Sequence, residues 1–195
     1  MTKKEFAFSS KDQKLIESIK KYKEYEESLD EPDWNDEGIK KAGACVDALL
    51  DLYEHSYSNL SEKTLRNARS ELDFYIYEFC SMRNGSRIFD FYDAMSLEGF
   101  FGHWYKSHAM WSSASSIRTA AAALKKLMGV LEAAGIVSSE ENQDMKSWVK
   151  ENQSDWIGGI NAFNDGYFDW QVKKRIKQNR FPLEYEPRSS LGNES

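Results

Sequence analysis

Apolar residues recur at spacings of three and four along most of this chain, a rhythm that predicts helices. Between Ser10 and Leu29 it is kept by Leu15, Ile19, Tyr22, Tyr25 and Leu29, in a stretch dense in Lys and Glu that reads as a solvated amphipathic helix. Ile39, Ala42, Val46, Leu49 and Tyr53 form a second stripe between Asp36 and Tyr57. Ser61 is placed to cap a third helix, whose face is Leu65, Ala68, Leu72, Tyr75 and Phe79. The turn Met82 to Arg87, around Asn84-Gly85, ends it. Ser96 is placed to cap a fourth, with Leu97, Phe100, Phe101, Trp104, His108 and Trp111 along one side.

Next comes the Ser-rich break "SSASS", where Ser115 or a neighbouring serine caps a helix with the stripe Ile117, Ala120, Ala121, Leu124, Met128 and Leu131. Gly135 follows where a left-handed C-cap belongs, and the run Ala120 to Ala123 suits close helix–helix approach. Ser138 and Glu141 have capping-box spacing for a helix carrying Met145, Trp148, Val149 and Trp156. No alternating run predicts a strand, and no repeat of fixed period is present. The expectation is an all-α bundle of about six or seven helices.

Boundaries follow from composition. "DEPDWNDE", Asp30 to Glu37, holds five acids, no base and one Pro. It divides an N-terminal helical arm and acidic linker (1–37) from a main helical domain (38–165). A basic amphipathic helix, "WQVKKRIKQNR", and a polar tail read as disordered make up 166–195. Only three prolines and eleven glycines occur in 195 residues, which favours long helices over a many-turned β fold. No secretory signal or apolar run of membrane-spanning length is found, so the chain is expected to be soluble and cytoplasmic.

Candidate chemistry is sparse. Cys45 and Cys80 belong to no CxxC pair, and both fall on apolar helical faces as buried thiols would. His103 and His108 lie about 140° apart on a helix and cannot share a face as a zinc pair does. There is no GxSxG, P-loop or dinucleotide fingerprint, so neither an enzyme nor a cofactor is expected.

Charge is more informative. The net charge of −6 weighs against a dedicated nucleic-acid binder without excluding a local basic face. From Gly99 to Leu131 there is no Asp or Glu, and the window carries Lys106, Arg118, Lys125 and Lys126. Arg66 and Arg69 lie three apart on the Ser61 helix. These six are the candidate phosphate contacts. Lys173, Lys174, Arg175, Lys177 and Arg180 form a second basic patch.

Across 61–152, "SEKTLRNARSELDFYIYEFC", "SLEGFFGHWYKSHAM" and "SSASSIRTAAAALKKLMGVLEAAGIV" are arranged as long helix, intervening helix, Ser-rich break and Ala-rich helix. With Thr64-Leu65, Ser116-Ile117 and Gly135-Ile136 at the corresponding places, this resembles the N-terminal core-binding domain of tyrosine recombinases of the phage-integrase type. The resemblance implies a SAM-like four-helix core with N- and C-terminal additions, and a helical surface that contacts double-stranded DNA. The family's catalytic Arg, HxxR and nucleophilic Tyr are not implied: neither His55, His103 nor His108 has Arg three positions on, and too little chain follows Asn152 for the catalytic domain. The alternative expectation is a protein-interaction or self-association module, drawn from the many aromatics, Trp104, Trp111, Trp148, Trp156, Phe168 and Trp170 among them.

Overall fold

The computed structural model describes residues 6–81, 83 and 85–166, and every regular element among them is helical. The order is α1 (Ser10–Glu27), α2 (Asp36–Ser56), α3 (Glu62–Asp73) running on into a π-helical segment (Phe74–Ser81), a 3-10 turn (Phe89–Tyr92), α4 (Ala94–Leu97), a second π-helical segment (Glu98–Trp104), α5 (Tyr105–His108), α6 (Ala114–Ala133) and α7 (Ser139–Asn164). Contacts divide the chain into two units, Met1–Asn161 and Ala162–Ser195. None of the described helices is long and apolar enough to cross a membrane.

Helix starts follow from short polar side chains that satisfy free N–H groups. Ser9 and Asp12 form a capping box on α1, Asn35 caps α2 and Ser61 caps α3. Ser138 and Glu141 exchange the bonds their spacing predicts. One cap differs from expectation. Asp93, not Ser96, starts the fourth helical stretch, because its carboxylate accepts the Ser96 N–H at 2.8 Å. In the serine run Ser113 is the cap and pairs reciprocally with Ser116. Gly135 takes the left-handed conformation at φ +65° just past α6.

The third-helix stripe is inside: Ala68, Leu72, Tyr75 and Phe79 are buried, and Leu65 packs against the core. So is the fourth as far as Phe101. His108 and Trp111 are on the surface, since the helix ends at His108 and Trp111 lies in the turn beyond it. The two π-helical segments bring an aromatic cluster together. Tyr75 and Phe100 lie 4.6 Å apart, Phe74 and Trp104 5.0 Å, and Phe101 stacks on Trp156 of α7 at 4.7 Å. Trp156 is buried and Trp104 and Trp148 are partly so; Phe168 and Trp170 fall outside the described residues. Both cysteines are free and buried, and burial pushes their thiols up.

The N-terminal helix belongs to this core. Ile16, Ile19 and Tyr22 are buried, and α1 packs along α2. The acidic stretch is docked as well. The Asp33 backbone carbonyl accepts from the Ser86 N–H at 3.1 Å, and Ser86 Oγ accepts from the Asp33 N–H at 2.8 Å. Arg87 donates to the carbonyls of Leu29 and Asp30. Gly85 adopts φ +60°, and a Cβ there would lie 3.0 Å from the Asp33 carbonyl, so only glycine fits.

Glu26 completes this junction from α1. It is 7% exposed, and its carboxylate accepts the N–H groups of Ile88 and Phe89, at the start of the 3-10 turn. Burial raises its pKa from 4.5 to about 7; the two N–H groups and Arg87 oppose the rise, and Asp90 adds to it. Between those two pH values the folded chain holds a proton that the unfolded chain has lost, so stability falls as pH rises through the window. Chemical denaturation across pH 4.5–7 is expected to show this decline, by up to a few kcal/mol. Glu26→Gln is expected to flatten it; a slope unchanged in the variant would show that Glu26 is not its source.

Candidate nucleic-acid interface

Helices α3 and α6 lie side by side. On α6, Ile117, Ala120, Ala121, Ala123, Leu124, Leu127, Met128, Val130 and Leu131 are buried. At 100° per residue, Ser115, Arg118, Thr119, Ala122, Lys125, Lys126 and Gly129 fall within about 120° of the helix circumference on the remaining side. Three of the six candidate cations therefore share one arc. Arg118 and Lys126 line a groove of about 280 Å³ with Thr64, Ala68, Ser115 and Thr119. Lys125 stands next to Arg118 on the same arc. The Lys126 ammonium sits 5.2 Å from the Tyr57 ring centroid, a cation–π contact that holds it beside the groove. None of the three makes an ion pair among the described residues. Glu132, the first acid after this window, accepts from the Asn142 amide at 2.6 Å.

The other three candidates do not join them. Arg69 Nη1 donates to Asp51 at 2.9 Å and to Glu54 at 3.0 Å, both on α2. It ties α3 to α2, its charge is matched twice over, and it leaves the candidate set. Arg66 is exposed on the side of α3 opposite Thr64 and Ala68. Lys106 is half-buried on α5, and no described contact links it to the α6 cations. The second basic patch, Lys173 to Arg180, lies outside the described residues.

A second recess, of about 380 Å³, adjoins the groove through Ser115 and Thr119. Its walls are polar except for Trp111, and they include Glu71. Glu71 is 7% exposed. One carboxylate oxygen accepts from the Tyr105 hydroxyl at 2.8 Å, the other from the Trp111 indole N–H at 3.2 Å. Burial pushes its pKa up against the opposing effect of these two donors. No sequence argument singled out Glu71, although a signal was there. It stands three after Ala68 and four before Tyr75, an acid on an apolar stripe. Glu26 shows the same signal, four after Tyr22 and seven after Ile19.

No group of three or more His, Cys, Asp or Glu among the described residues is arranged to hold a metal ion. His108 stacks on Trp104 at 4.2 Å, and His103 is exposed near Glu98. His55 bonds Asp12 at 2.8 Å, joining α2 to the cap of α1. The chain matches no family model, no curated protein and no solved structure.

Arg69 separates structural from binding roles. Arg69→Ala is expected to lower stability by about 1 kcal/mol, through a partly exposed ion pair and the packing of its stem, as read by urea denaturation. It is expected to leave polyanion binding unchanged. A loss of binding at unaltered stability would return Arg69 to the interface.

Proposed function

We propose that this chain is a non-catalytic helical module that holds double-stranded DNA by its phosphate backbone, through the outer arc of α6. The observation that carries the reading is that Arg118, Lys125 and Lys126 lie together on one arc with no ion-pair partner among the described residues. A cation with no ion-pair partner has no salt bridge to break before it meets a phosphate. The small side chains between them, Ser115, Thr119, Ala122 and Gly129, leave room for a backbone to approach. The resemblance to recombinase core-binding domains points the same way by analogy of fold. Three phosphate contacts make a weak, sequence-independent interface, in keeping with the acidic net charge.

The test is fluorescence anisotropy with a labelled duplex at low and rising salt. Three contacts predict a log–log salt slope of about −3, and Arg118→Ala with Lys125→Ala is expected to reduce it by about 2. Absence of binding at micromolar protein in low salt, or binding indifferent to the double variant, would sink the proposal.

One observation favours a protein partner instead. Met110 and Trp111 are 99% and 49% exposed, side by side in the turn before α6. Aromatic and Met side chains are enriched at protein interfaces relative to the rest of the surface. Under this reading light scattering gives a dimer mass that Met110→Ser with Trp111→Ser returns to monomer, and the duplex assay is flat. A monomer mass at every concentration removes the self-association form of it.

A further inference from the structure

The Glu71 recess has an arrangement that neither the fold nor the α6 arc explains. A carboxylate taken out of water normally faces an Arg, Lys or metal ion, because an unmatched buried charge is costly. Glu71 faces none. Its two partners, Tyr105 and Trp111, are neutral donors, one to each oxygen. A carboxylate has about four acceptor positions, so each oxygen keeps a second one. Glu71 also lines the recess and is the only charged wall residue among the described residues. The rest of the lining supplies hydroxyls and an amide, from Ser70, Ser115, Thr119 and Asn67. Trp111 closes one side with its indole N–H held by the carboxylate, which fixes the ring.

Each feature selects for the same chemistry. The spare lone pairs call for an N–H donor, and the uncompensated charge calls for that donor to be cationic. Hydroxyl and amide walls suit a ligand that bears hydroxyls of its own. An indole held in place offers a face for cation–π attraction. A volume of about 380 Å³ is near the lower end of small-molecule sites and suits a small ligand. We propose that the recess between α3 and the start of α6 binds a small hydroxylated organic amine, its ammonium group bonded to Glu71 and lying against Trp111. The proposal does not rest on DNA binding by the α6 arc: none of Arg118, Lys125 or Lys126 lines the recess, which shares only Ser115 and Thr119 with the neighbouring groove.

The experiment titrates the full chain with glucosamine and with ethanolamine, each against its neutral counterpart, glucose and ethylene glycol. Calorimetry and the NMR signal of the Trp111 indole N–H are the readouts. The expected result is saturable binding of at least one amine, tenfold or more tighter than its neutral counterpart, with the Trp111 signal shifting at the same midpoint. Glu71→Gln is expected to weaken it at least tenfold. Ser70→Trp fills the recess from an exposed position and leaves both Glu71 bonds intact, so it is expected to remove binding with melting temperature unchanged. Should Glu71→Gln fail to fold, Ser70→Trp decides. Neither amine surpassing its neutral counterpart, or binding that survives either folded variant, would overturn the proposal.

Discussion

The close packing of α6 against the body is the constraint from which the rest follows. Ala120, Ala121 and Ala123 bury no more than a methyl group each, and that lets the helix axis come near its neighbours. With nine residues of α6 committed inward, only a narrow outer arc is left, and Arg118, Lys125 and Lys126 have nowhere else to stand. The gathering of charge is thus a by-product of packing geometry as much as of charge placement. Widening one of those alanines would push α6 outward, changing the groove and the arc together.

The same closeness shapes the region around Glu71. Tyr105 and Trp111 reach it from the two ends of the short stretch between the second π-helical segment and α6, so one carboxylate fixes α3, α5 and the turn beyond. A neutral pair of donors would be an economical structural clamp if the carboxylate were sealed. It is not sealed, since it borders an open polar recess, and that is the departure from ordinary core design. Glu26 offers the contrast: its carboxylate is closed in by the N–H groups of Ile88 and Phe89 and borders none of the described recesses. Two buried acids, similar in exposure, therefore differ in what remains for them to bind.

Much of the fold was legible in the sequence because burial imposes period. The stripes of α2, α3 and α6 name core residues almost one for one, and Gly135 and the Ser138–Glu141 box mark their ends. Among several serines near the start of α6, only backbone geometry selects Ser113, and Asp93 outcompetes Ser96 by lying one turn upstream. The π-helical segments leave no compositional trace, as an i→i+5 bond asks for no particular residue. The acidic stretch looks like a linker until Ser86, Arg87 and Gly85 are seen to hold it. For the site, Arg118, Lys125 and Lys126 could be grouped from spacing on a single helix. Arg69 could not be discounted, since Asp51 and Glu54 meet it only across a helix–helix contact.

The two cysteines carry a consequence for how the molecule opens. A thiol reacts as thiolate, and one that is both enclosed and held in its protonated form is invisible to an alkylating reagent until its surroundings come apart. Cys45 lies on α2 beside Tyr22 and Tyr25 of α1, whereas Cys80 lies inside the first π-helical segment with no surface at all. Their labelling rates are therefore two clocks set in different layers. One runs when the N-terminal helix lifts, the other only when the aromatic centre dissolves, and any gap between them measures how far this fold departs from all-or-none unfolding.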